Sequence, residues 1–286
     1  MNQASPVDDS STEQGWAENG AIRLRWERFE SGNAKERLLL VNGLSSPMVA
    51  YDVGFIAELN QRGFDVVRFD NRDAGRSSAT EGGYLLTDMA ADAFAVMDAV
   101  NWSSAHVFGM SMGGMIVQQM GIDNSTRLQS IVSVMSNTGN PDYGQPSKEA
   151  MEALLTPSPT EREAWLDHRV SVDKIWATPE GWTAERSRAV GEAMFDYGVQ
   201  PAQTNHQFTA IMQSGRRDDK LAKVTTPTLV LHGDKDTLIQ PSGGEHTASV
   251  MPNATHHVLS GMGHDLPPSY WDRIADQLAS FVAAIP

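Results

Sequence analysis

The chain has no cysteine among its 286 residues. That excludes a disulfide framework, a thiolate nucleophile and any cysteine metal site, and leaves the compartment to be read from targeting signals. Cations are scarce as well: 22 Lys plus Arg stand against 36 Asp plus Glu, for a formal charge of -14. A field of that sign repels phosphate backbones and anionic lipid, so neither nucleic acid nor a membrane is an expected partner. The first twenty residues hold no Lys, no Arg and no apolar run of the signal-peptide kind. No later stretch approaches the ~20 apolar residues that a membrane helix needs. A soluble, cytoplasmic protein is the expectation; oligomeric state is left open.

What is present suits a folded enzyme. At 40% hydrophobic residues the chain can bury a full core, in one large α/β domain or one carrying an insertion. Residues 1–15 are polar and read as a loose tail, with order beginning near Trp16. Asn19-Gly20 is a hairpin turn signal, followed by alternating Ile22, Leu24 and Trp26. Short apolar runs then recur at Leu38 to Val41, Val66 to Phe69, His106 to Phe108 and Ile131 to Met135, separated by stretches of helical spacing. The rhythm resumes at Thr228 to Leu231 and His256 to Leu259, and closes in an amphipathic helix over Trp271 to Val282. Buried parallel strands flanked by helices fit it, with the core over 16–137 and 223–286. Between those halves, over 138–222, the text becomes helical pieces broken at Pro157, Pro159, Pro179 and Pro201. This stretch reads as an inserted helical cap, rich in aromatics: Trp165, Trp176, Trp182, Phe195, Tyr197 and Phe208.

The segment AHVFGMSMGGMIVQQM places Gly109, Ser111 and Gly113 in a GxSxG pattern between a strand and a helix. A serine on so sharp a turn sits in a strained conformation, and side chains at the flanking positions would collide with neighbouring backbone. Gly109 and Gly113 meet that need. The turn also leaves the Met112 amide free at a helix N-terminus, where it can donate to a developing oxyanion.

At this point the chain resembles the α/β-hydrolase superfamily over most of its length outside the tail and the cap. NGLSSP, FDNRDAGRSS, MSMGGM and GMGHDLP are most similar to serine carboxylesterases of the aclacinomycin methylesterase kind. The resemblance implies a mostly parallel central sheet flanked by helices, and it puts Leu44 at the second oxyanion donor. It departs at Asn42-Gly43, where the family often has His-Gly, and at Asp73, where glycine is usual. Because the oxyanion donor is a backbone amide, the first departure bears on loop support more than on the hole itself. Asp70 and Arg72 read as a salt-bridged turn bracing that loop.

A serine hydroxyl needs a base, and the base needs an acid to fix its tautomer. In this fold the order along the chain is Ser, then Asp or Glu, then His. PTLVLHGDKDTLIQP resembles the family segment that ends on Asp236; Asp234 reads as a turn residue. Of His246, His256, His257 and His264, only His264 lies in a loop after the last strand. His256 and His257 point to opposite strand faces and cannot share one ion, so no metal is expected. No motif supports a nucleotide or redox cofactor, and none is expected. Of the fourteen methionines, Met110, Met112 and Met262 fall beside these motifs, as core filler or as pocket lining.

The expectation is ester hydrolysis on a small-molecule substrate by Ser111, His264 and Asp236. Perhydrolysis, carbon–carbon hydrolysis, lactonase and acyltransferase chemistry share that constellation, and a ligand-binding receptor that keeps the pocket is the alternative from another class.

Overall fold

The computed structural model describes residues 13–32 and 34–285. Eight strands form one sheet: β1 (Glu13–Asn19), β2 (Ile22–Phe29), β3 (Glu36–Val41), β4 (Phe64–Phe69), β5 (Ala105–Met110), β6 (Leu128–Val134), β7 (Thr228–Gly233) and β8 (Ala254–Leu259). Their order is β1-β2-β4-β3-β5-β6-β7-β8. β2 is antiparallel to both neighbours, and all pairings from β4 to β8 are parallel. The helices are α1 (Val53–Gln61), α2 (Leu86–Ala99), α3 (Met112–Asn124), α4 (Lys148–Leu155), α5 (Arg162–Trp176), α6 (Ala184–Tyr197), α7 (Thr204–Ser214), α8 (Asp218–Leu221), α9 (Ser242–Val250) and α10 (Pro268–Ala283).

The inner strands β3, β5 and β7 show little alternation because both sheet faces are covered there. Leu39, Val41, Val67 and Val107 join the core under α2 and α3. Their neighbours Leu38, Leu40, Val66 and Phe108 join the core under α1 and α10. Local signals fix the helix ends: the Asp52 carboxylate accepts from the Gly54 amide at 2.7 Å to cap α1, and Pro268 opens α10.

Two expectations need correction. Strand pairing begins at Glu13, opposite Arg28, so residues 13–15 are part of the sheet and not of the tail. An edge strand with one wet face reads as polar, which is why composition misplaced them. Residues 1–12 of the expected tail lie outside the described residues. Second, Asp70 and Arg72 are not salt-bridged to each other. Arg72 pairs with Asp92 on α2, at 2.6 and 2.7 Å. Asp70 accepts from backbone amides, as set out below. Asp73 stands at φ 63, a left-handed conformation that explains why glycine is usual there. Its buried carboxylate accepts from the Thr80 amide and hydroxyl and from the Tyr84 hydroxyl, which hold the turn.

Between β6 and β7 the described chain contains helices and no strand. Trp165 and Leu166 of α5 and Met194 of α6 form a small apolar cluster over Val49 and Ala50, next to the β3 loop. α8 packs on α3 and α9, so the end of the expected insertion lies against the core. Among the described residues no helix is long and apolar enough to cross a membrane.

Arg72 and Asp92 are both buried, and removing one leaves the other charge unpaired. Arg72→Ala is expected to lower unfolding free energy by about 3–5 kcal/mol in urea titration. Arg188, which pairs with Glu163 and Asp167 at the surface, should cost far less than Arg72 as alanine.

Candidate active site

The order of the strands already marks a crevice. From β3 the chain turns to β4 on one side; from β5 it turns to β6 on the other. The carboxyl ends of β3 and β5 are thus a topological switch point, where loops leave in opposite directions and a ligand fits between them. Val41 pairs with Gly109 there, which brings the loop after β3 beside the turn after β5.

Ser111 occupies that turn at φ 56 and ψ -120, a strained conformation for a residue with a Cβ. It is held from three sides. Its amide donates to the Val134 carbonyl at 2.9 Å, and its carbonyl accepts from the Ser136 hydroxyl at 2.8 Å and the Met115 amide at 3.2 Å. The flanking glycines are required by contact. A Cβ on Gly109 would lie 2.1 Å from the Gly113 oxygen, and one on Gly113 would lie 2.0 Å from the Val41 oxygen.

Three side chains predicted from the sequence meet here. Ser111 Oγ lies 3.0 Å from His264 Nε2, and His264 Nδ1 lies 2.6 Å from Asp236 Oδ2. A carboxylate can only accept, so Nδ1 carries the proton and Nε2 is the acceptor that faces the hydroxyl. The other carboxylate oxygen of Asp236 accepts from the Leu238 and Ile239 amides, each at 2.9 Å. Burial pushes the Asp236 carboxyl up, but the charge of His264 and the hydrogen bonds from His232 and His264 outweigh it and hold it at about 2. Asp234 instead accepts from the Gly261 amide at 2.7 Å and closes the turn. His246 pairs with Asp218 at 3.0 Å, while His256 and His257 lie on the edge strand β8.

Leu44 and Met112 flank the serine. Met112 is the first residue of α3, so its amide points out of the helix N-terminus. Leu44 follows Gly43, at which a Cβ would lie 3.3 Å from Ser111 Cβ. The loop is braced despite its departure from the family wording. The Asn42 side chain donates to the Pro47 carbonyl at 3.0 Å, and the Met48 amide donates to Asp70 at 2.6 Å. Asp70 also accepts from the Arg76 amide at 2.8 Å and the Tyr197 hydroxyl at 2.7 Å; burial, opposed by these bonds, pushes its carboxyl up to about 6.

Ser111 and His264 open onto a cavity of about 390 Å³, within the range of small-ligand sites. Trp165, Trp176 and Trp182 line it together with Met110 and Leu44, while Met112 and Met262 are core residues. Of the remaining aromatics, Phe195 packs on the Trp165 ring at 5.5 Å, and Tyr197 serves Asp70.

Residues that sequence reasoning missed lie behind these groups. His232 is fully buried; its Nε2 donates to the Ile239 carbonyl at 2.7 Å and stands 3.3 Å from Asp236. The His264 amide donates to the Trp176 carbonyl at 2.6 Å, and Thr178 donates from its amide and hydroxyl to Asp265. Gln207 of α7 accepts from the Ser45 amide at 2.7 Å. Two of these had a local signal: His232 lies in the segment that ends on Asp236, and Gln207 shares the apolar i, i+3, i+4 face of its helix with Ala210 and Ile211.

Residues 36–268 match the family described as the alpha/beta hydrolase fold. Rhodomycin D methylesterase DnrP of Streptomyces peucetius is 28% identical over 290 residues, covering 91% of this chain and 95% of that protein. A putative carbamate hydrolase, RutD, of Variovorax paradoxus is 26% identical over 80% of this chain and 85% of its own. Among solved structures, the enol-lactonase from Burkholderia xenovorans has a TM-score of 0.76 at 19% identity, covering 94% of this chain and 100% of its own. An esterase from Rhodococcus has a TM-score of 0.77 at 19% identity, covering 96% and 99%.

The low value at Asp236 has a consequence for stability. A carboxyl held below its unfolded value contributes stability that is present above about pH 3.9 and is lost as pH falls through about 2. Unfolding free energy of the native chain should therefore fall across that window more steeply than that of Asp236→Asn, measured by denaturant titration at stepped pH. Equal slopes would mean that the carboxyl is not held down.

Proposed function

The chain belongs to the alpha/beta hydrolase fold family, and from that premise we propose that it is a serine hydrolase that cleaves small carboxylic esters. The observation that carries this reading is the hydrogen-bonded run from Ser111 through His264 to Asp236, opening onto a cavity. Ser111 is the nucleophile. As its Oγ attacks the ester carbonyl carbon, the proton passes to His264 Nε2, and Asp236 stabilises the imidazolium. The negative charge that collects on the carbonyl oxygen is met by the Leu44 and Met112 amides. Collapse of this intermediate expels the alcohol, which takes the proton from His264. A water then attacks the acyl-serine with His264 again as base, and the acid leaves.

The helices over the cavity act as a cap, and its three tryptophans set the apolar wall that selects the ester. A cavity of about 390 Å³ suits a small-molecule ester, in keeping with relatives named as a methylesterase and an esterase. No second reading has an observation of its own.

Ser111→Ala and His264→Ala should each slow hydrolysis of a p-nitrophenyl ester by about 10⁶-fold, and the double variant should lose little more. Additive losses would mean that the two residues do not act as one unit. Asp236→Asn should cost about 10⁴-fold, and Asp234→Asn far less. On a panel of esters, alanine at Trp165, Trp176 or Trp182 should change the ranking by alcohol size. A wild-type chain that binds an ester tightly and never turns it over would instead be a receptor.

A further inference from the structure

We propose that Gln207 is a positioning residue: from the helical cap it fixes the orientation of the loop that carries the Leu44 oxyanion donor. The inference rests on the esterase reading above. Ser46 donates its amide to the Gly43 carbonyl at 3.3 Å, closing a tight turn with Leu44 and Ser45 at its centre. Ser45 stands at φ 57, where a residue with a Cβ is strained unless its surroundings hold it. The Leu44–Ser45 peptide at the centre of such a turn can point its N–H to either side, and a contact that holds the Ser45 N–H fixes this unit, which adjoins the Gly43–Leu44 peptide that carries the Leu44 N–H. The holding contact is Gln207. Its Oε1 accepts from the Ser45 amide at 2.7 Å, and its Nε2 donates to the Arg72 carbonyl at 2.7 Å.

That arrangement uses both ends of one fully buried side chain. The Arg72 carbonyl belongs to the turn anchored to α2 by the Arg72–Asp92 pair, so Gln207 ties the Ser45 side of the oxyanion loop to a fixed point. One turn earlier on α7, Thr204 accepts from the Ser45 hydroxyl at 2.6 Å, which leaves the Ser45 amide to Gln207. The other supports of the loop, Asn42 to Pro47 and Met48 to Asp70, lie on its flanks. The cap therefore completes the oxyanion site as well as enclosing the substrate. Its effect falls on the transition state, where charge reaches the carbonyl oxygen, and not on the bound ester.

The test uses the full chain and p-nitrophenyl butyrate. Gln207→Met keeps the volume and removes the acceptor; Gln207→Asn keeps the amide and withdraws it by one methylene. Each is expected to lower kcat by about 30-fold, less than the 10²–10³-fold lost when an oxyanion donor is itself removed, with KM changed by no more than about threefold. Affinity for a butyl trifluoromethyl ketone, which forms the tetrahedral adduct, should fall in the same proportion, while competitive inhibition by butyrate is unchanged. Unchanged kcat overturns the proposal, and so does a fall in kcat with ketone affinity intact. Loss of cooperative melting in both variants makes Gln207 a packing residue and also overturns it. The wild-type chain in the same assay reads the premise separately: if it hydrolyses no ester, the esterase reading fails, whereas an active wild type with unaffected variants removes only the role of Gln207.

Discussion

Gly113 lies so close to the Val41 carbonyl that a Cβ there would sit 2.0 Å from its oxygen. This approach of α3 to the end of β3 is the constraint on which the rest of the site depends. It sets the turn at Ser111 beside the loop at Leu44. The register of β3 against β5 allows it, the glycines make it sterically possible, and the strain at Ser111 is offset by three backbone hydrogen bonds.

A second layer of contacts comes from the helices between β6 and β7. They touch the site's loops at separate points: the Trp176 carbonyl at His264, Thr178 at Asp265, Tyr197 at Asp70 and Gln207 at Ser45. Each contact is a hydrogen bond to backbone or to a buried carboxylate, and so each is directional. These helices and the loops of the core are therefore linked by more than apolar packing.

The electrostatics follow the same architecture. Asp236 and Asp70 are both buried carboxyls, yet burial wins at Asp70 and loses at Asp236. Asp70 has only amide and hydroxyl donors, whereas Asp236 has two imidazoles beside it, one of which gains charge when it takes a proton. Asp70 is suited to hold a loop, Asp236 to support a cation. Two aspartates of similar burial thus have different chemistry because their partners differ.

Much of this was legible in the chain. Period-two and period-3.6 patterns, glycine spacing and strand-bounded motifs are local, and they sufficed for the strand-to-helix turn at Ser111, the loop histidine at 264 and the alternation of strands with helices. The choice of Asp236 over Asp234 followed from a family segment. Misreadings came where a residue's partner lies far along the chain. Glu13 and Gln14 read as tail because their pairing with Arg28 and Glu27 is a long-range fact of an edge strand. Arg72 was matched with its near neighbour Asp70, but its guanidinium reaches Asp92, twenty positions on. Thr178 has no motif, and neither the segment around His232 nor the helical face of Gln207 names a partner, since a buried hydrogen bond is specified by two segments brought together. The sequence by itself determined most of the elements, because those depend on neighbours within a few residues, and it offered Ser111, His264 and Asp236 as candidates. Only the tertiary structure decided how the loops are held, because that depends on directional bonds between segments more than a hundred residues apart.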